Sequence, residues 1–144
     1  MAFDGRVRSR ADLEDYIAAF NRKDYDRQIS YYAPDVRYVA RDAVLDTPEK
    51  IKDFYADFHT YCREKVWLHD FVMEGDTIAV SLPSLFEPFR DYTKHGFEFR
   101  VGQDVKIVSF AFYTLKDGKI WRIRTARYNG PFSDYADPAT RITD

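Results

Sequence analysis

Few side chains in this sequence can move a proton near neutral pH: three histidines, His59, His69 and His95, and one cysteine, Cys62. The histidines fall on a helical pattern, a strand pattern and a turn, with no His-x-His or His-Glu-x-x-His spacing, so no metal site is expected. Neither a glycine-rich phosphate loop, a dinucleotide fingerprint nor a Gly-x-Ser-x-Gly elbow occurs. The chemistry open to such a chain is cofactor-free proton transfer. His69, within WLHDFVMEGD, lies in a strand-like stretch, and an imidazole of ordinary pKa, about 6.5, serves as acid or base. Phenols are the second resource. With 11 Tyr and 12 Phe the aromatic fraction reaches 17%, enough to build a core or to line a pocket for an aromatic ligand. Tyr16, Tyr38 and Tyr55 fall on faces expected to turn inward, where their hydroxyls could converge on an oxyanion or a leaving hydroxyl.

On the last strand pattern Arg122 and Arg124 share one face, which puts Trp121, Ile123, Thr125 and Arg127 on the other. An inward Arg127 at the strand end would seek an acidic partner or a phenolate. Asp42, on the same face as Tyr38 and Ala40, is a further candidate acid. Cys62 reads as a buried thiol within a helix and has no partner for an internal disulfide.

The elements that must position these groups begin with an amphipathic helix. Ser9 and Asp12 form an acidic variant of a capping box, and Leu13, Tyr16, Ile17 and Phe20 make the buried stripe. Asp24 caps a short second helix with Ile29 and Tyr32 facing inward. Val36 to Arg41 alternates as a strand. Thr47, Pro48 and Glu49 start a third helix with Ile51, Phe54, Tyr55, Phe58 and Cys62 as its stripe, ending near Glu64. Strands follow at 66–73 and 77–86, the second carrying Pro83. A long strand from 97 to 115 bends at Gly102, and a hairpin turn at 116–119 leads into a last strand at 120–128. Three helices before a four-strand antiparallel meander make an α+β fold with helices on one face of a curved sheet.

The whole is one domain of 144 residues, with a polar tail from Asn129 whose Phe132 and Tyr135 can fold back. A net charge of −2 gives no reason to expect nucleic acid or an anionic membrane as partner. No apolar run approaches the roughly 20 residues of a membrane span, and MAFDGRVRSR lacks the apolar core of a signal peptide, so a cytoplasmic protein is expected.

NRKDYD, YYAPDVRY, TPEKIKDFY and DGKIWRIR, in this order and spacing, make residues 9 to 128 resemble the nuclear transport factor 2-like superfamily. That group shares a cone-shaped α+β fold and includes ketosteroid isomerases, scytalone and bile-acid dehydratases and SnoaL-type polyketide cyclases. The resemblance to the dehydratases implies that His69 points into the cone as general acid/base, with Asn21 where their assisting acid stands. The isomerase base falls on Ala40, which accepts no proton, and that family's tyrosine falls on Tyr16. Ser109 aligns with polar pocket residues. Phe20, Phe54, Phe58, Trp121 and Ile123 complete the expected lining with Tyr16 and Asp42.

The resemblance implies a cofactor-independent lyase for a phenolic compound. It would dehydrate its substrate or release formaldehyde from a lignin-derived diarylpropane, through a quinone methide. A SnoaL-like polyketide cyclase and a non-catalytic binding or dimerisation module are the alternatives. Relatives pair through the convex sheet face, here Lys106, Val108, Phe110, Phe112 and Thr114, so a homodimer or higher homo-oligomer is expected.

Overall fold

Helix starts follow the capping chemistry. The computed structural model describes residues 2–40 and 42–135 and begins with α1 (Arg10–Asn21), whose Leu13, Tyr16, Ile17, Ala19 and Phe20 are buried. Ser9 makes no side-chain cap bond; the Asp12 carboxylate accepts from the Arg8 amide at 2.7 Å instead. Asp24 caps α2 (Tyr25–Ile29), accepting from the Arg27 amide at 3.2 Å. β1 (Tyr32–Ala40) and β2 (Ala43–Leu45) follow. Thr47 then caps α3 (Pro48–Phe58), accepting from the Lys50 amide at 3.1 Å, with Pro48 at its first position.

Two helix boundaries differ from the sequence reading. α3 ends at Phe58 with His59 as its C-cap, and Cys62 opens a strand, β3 (Cys62–Val66). Cys62 continues the i, i+4 spacing from Phe58, but Cys62, Glu64 and Val66 recur every second residue, which is a strand's period and not a helix's. Tyr32 belongs to β1 instead of α2, and pairs with Ile120.

The remaining strands are β4 (Asp70–Glu74), β5 (Thr77–Pro88), β6 (Tyr92–Lys94), β7 (Phe97–Phe99), β8 (Val105–Lys116) and β9 (Lys119–Arg127). The main sheet runs β2-β1-β9-β8-β5-β3, with β4 also on β5, while β6 and β7 form a separate ribbon. The expected bent strand from Phe97 is therefore two strands of different sheets. The meander is also larger than expected, because β1 joins β9 in parallel while the other pairs are antiparallel. Helices packed on the concave face of this curled sheet give the cone-shaped α+β architecture.

Two irregularities re-aim side chains. Val66 pairs with Ser84 but Asp70 pairs with Ser81, so one extra residue is held between β3 and β4. Pro83, which has no N–H for the ladder, stands opposite this step; its carbonyl accepts from the Trp67 amide at 2.9 Å. Leu68, Phe71 and Met73 pack on the core, and His69 and Asp70 are left exposed. On β9, Thr114 pairs with Arg122 and Leu115 with Ile120, so Trp121 is skipped. Ile120 and Ile123 are both buried as a result.

The core has two parts. The larger joins α1 to the sheet, and the smaller, Phe58, Cys62, Phe86, Tyr92 and Phe99, fastens the β6–β7 ribbon to the end of α3. A 3-10 turn at Phe132–Asp134 returns the tail to the sheet, and the Tyr135 ring packs on Phe110 at 5.7 Å and Tyr128 at 4.9 Å. On the outer face Val108 is buried, against expectation, since the tail contacts β8; Phe110 and Phe112 remain exposed. Arg41 of the expected first strand and residues 136–144 of the tail lie outside the described residues. Among those described, no helix is long and apolar enough to cross a membrane.

Candidate active site

The inward residues of the sheet and the facing sides of α1 and α3 enclose a cavity of about 520 Å³. Alternation explains its lining: Tyr38 and Ala40 on β1, Glu64 and Val66 on β3, Ser109 and Tyr113 on β8, and Ile123, Thr125 and Arg127 on β9 all turn to the concave side. Tyr16, Ile17 and Phe20 come from α1, and Phe54, Tyr55 and Phe58 from α3.

Five tyrosines face the cavity, Tyr16, Tyr32, Tyr38, Tyr55 and Tyr113. The Tyr16 and Tyr32 hydroxyls share a hydrogen bond of 2.7 Å, and Gln28 Nε2 donates to Tyr32 at 3.1 Å. Burial pushes Tyr32 up to about 12, and it raises the other four as well. For Tyr38 the Tyr55 hydroxyl offsets part of that rise by hydrogen bonding to it. All five are thus protonated donors at neutral pH.

Two histidines are joined to carboxylates at this cavity. His95 lines it from the β6–β7 turn, and its Nδ1 is hydrogen-bonded to Asp42. That bond holds the Asp42 carboxyl below the usual carboxylate range. His95 has φ 53°, a left-handed conformation that costs a non-glycine residue on the order of 1 kcal/mol. The turn's strain therefore goes into presenting an imidazole. Its ring stands 4.8 Å from that of Phe54. The second pair is deeper. His59 Nε2 lies 2.9 Å from Glu64 Oε1, and His59 Nδ1 lies 2.6 Å from the Tyr25 hydroxyl.

The structure brings most of the expected site residues to this cavity: Tyr16, Phe20, Tyr38, Phe54, Tyr55, Phe58, Ser109, Ile123 and Arg127 all line it. Arg127 is exposed there, its guanidinium 5.3 Å over the Phe97 ring. Asp42 is exposed and reaches the cavity only through His95. Three expectations fail on geometry. His69 is 48% exposed at the end of the bulge, 3.3 Å from Asp70 and with its ring 5.5 Å from that of Tyr135. Asn21 orients no imidazole; its amide donates to Val66 O and accepts from Val66 N, both at 2.9 Å. Trp121, skipped by its bulge, turns away and donates to Asp35 at 3.1 Å with Arg122 stacked over it at 3.8 Å.

The sequence reading missed Glu64, His95, Tyr32, Gln28 and Tyr113. The parity that put Phe110 and Phe112 outside already put Ser109 and Tyr113 inside. The period of two from Cys62 to Val66 likewise marked Glu64 as inward.

The model of the SnoaL-like domain family matches residues 13–123, most of the chain. The protein belongs to the SnoaL-like domain family. Solved structures similar to this SnoaL-like chain include a putative polyketide cyclase from Pseudomonas putida KT2440. That protein is 23% identical over 81% of this chain and 88% of its own, with a TM-score of 0.66. Another putative polyketide cyclase, from Xanthomonas campestris pv. campestris, is 23% identical over 78% and 84%, with a TM-score of 0.63. An LEH-like epoxide hydrolase from M. tuberculosis is 13% identical over 81% and 79%, also with a TM-score of 0.63. These likenesses establish the SnoaL-like fold. No curated protein matches the chain.

Proposed function

We propose that this protein is a cofactor-free lyase acting on a phenolic small molecule, by dehydration or by deformylation through a quinone methide. The observation that carries this reading is His95 on the cavity wall, held at Nδ1 by Asp42, in a chamber lined by five protonated tyrosines. Asp42 occupies one imidazole nitrogen, which leaves Nε2 to exchange a proton with the substrate. A volume of about 520 Å³ is ligand-sized, since small-molecule pockets run from roughly 300 Å³ upwards, and this weighs against a filled, non-catalytic cone.

In a para-hydroxyaryl alcohol the phenol loses its proton and the ring electrons expel the benzylic hydroxyl. His95 protonates that hydroxyl, so water leaves and a quinone methide remains. For a diaryl propanediol, loss of the primary hydroxyl proton then breaks the adjacent carbon–carbon bond. Its electron pair enters the quinone methide, giving a stilbene phenolate and formaldehyde; reprotonation closes a redox-neutral balance of stilbene, formaldehyde and water. Tyrosine donors suit the phenolate end.

A second reading, SnoaL-like polyketide cyclase, draws support from the two neighbours that bear that name, and aldol closure needs the same acid/base. Ultraviolet absorbance with a panel of para-hydroxyaryl alcohols and diaryl propanediols, with a formaldehyde assay, separates them. A new conjugated chromophore is expected from the wild type. Its rate should drop about 10²–10⁴-fold in His95→Ala and be unchanged in His69→Ala. Absence of any chromophore across the panel refutes the lyase reading.

A further inference from the structure

The cavity contains a carboxylate that the lyase scheme leaves without a task. Glu64 projects inward from β3, its side chain 9% exposed and paired with His59, whose side chain is 3% exposed. The His59 ring lies 5.9 Å from that of Tyr25 and 5.7 Å from that of Tyr55. Satisfying every donor requires the Tyr25 hydroxyl to donate to Nδ1 and Nε2–H to donate to Glu64 Oε1. Neither Oε2 nor the second lone pair of Oε1 is used by that chain. A buried carboxylate is costly unless hydrogen-bonded and paired; this one is supported from behind and open in front. Its charge also reaches the cavity phenols, adding to the rise that burial imposes on Tyr38 and Tyr55.

We propose that Glu64 is the proton acceptor of this cavity, taking the hydroxyl proton of a substrate carbinol laid against it and accepting a hydrogen bond from a phenol placed there, with His59 and Tyr25 as positioning residues. The proposal rests on the reading of the cavity as a reaction chamber. In the carbon–carbon cleavage Glu64 removes the primary hydroxyl proton as the carbonyl of formaldehyde forms, and the neutral acid then returns that proton to the product phenolate. The same charge repels a carboxylate at that position, so the ligand class is neutral and hydroxylic.

The probe is 4-nitrophenol, whose phenol and phenolate forms differ in colour, titrated with wild type, Glu64→Gln, Glu64→Asp, His59→Asn and Tyr25→Phe. The titratable groups around the acceptor are His59, Tyr25, Tyr38, Tyr55 and Cys62. Against Glu64 the bound probe should stay protonated, its ionisation suppressed about tenfold or more relative to Glu64→Gln. Glu64→Asp should restore part of that suppression, and His59→Asn and Tyr25→Phe should weaken it while the probe still binds. On an active panel substrate, Glu64→Gln should lower kcat about 10²–10⁴-fold, and the two positioning variants should lower kcat with KM retained. A wild-type spectrum that matches Glu64→Gln, or no binding of the probe by the wild type, overturns the proposal. A protein inert towards the panel that still shows the Glu64-dependent spectrum removes the lyase reading and keeps the acceptor.

Discussion

A histidine is useful according to what holds its second nitrogen, and the three here differ in that respect. His95 is held by Asp42 at the cavity wall, His59 by Tyr25 behind Glu64, and His69 by Asp70 in solvent. Residue type and parity were enough to find Tyr16, Tyr38 and Tyr55; they could not pair Asp42 with His95, which are far apart in sequence, and the misplaced end of α3 hid the pairing of His59 with Glu64. Glu64 also adds to what burial does to the single thiol. Burial, then the Glu64 charge, push Cys62 up to about 12 from 9.0, leaving about a thousandfold less thiolate than a free cysteine. Native protein should therefore resist Ellman's reagent and release one equivalent on unfolding in denaturant. Rapid labelling of the folded protein contradicts the burial of this thiol.

At the scale of elements, caps and alternation were legible because each is written within a few consecutive residues. Asp24, Thr47 and Pro48 start helices where they are expected to, and Val36, Tyr38 and Ala40 face inward as expected. The two bulges were not legible, since an extra residue is defined only against the partner strand, and each displaced a proposed site residue, His69 and Trp121. Asn21 shows how an element's edge is finished. Its amide replaces a neighbouring strand for Val66, joining the end of α1 to β3. Asn21→Ala removes both bonds and should cost about 1–3 kcal/mol, read by chemical denaturation, together with faster hydrogen exchange at the Val66 amide. Unchanged exchange there excludes the clamp.

For the whole molecule, the aromatic excess has a thermodynamic consequence. Tyr16, Tyr32, Tyr38, Tyr55 and Tyr113 have folded pKa values raised by burial. A raised folded pKa contributes stability that is complete below the unfolded value, about 10 for tyrosine, and is lost as pH climbs through the folded value. On alkaline titration the phenolate absorbance of these five should lag behind that of free tyrosine and then appear together with loss of structure. Smooth ionisation of all tyrosines in a protein that keeps its fold contradicts the burial of the cluster.

The parallel pairing of β1 with β9 also bears on how the chain is made. β1 (Tyr32–Ala40) leaves the ribosome well before β9 (Lys119–Arg127), so at about 5–20 residues per second the earlier strand waits for seconds with one edge bare. A chain truncated before Lys119 keeps that edge bare, and is expected to be retained by chaperones more than the full chain is.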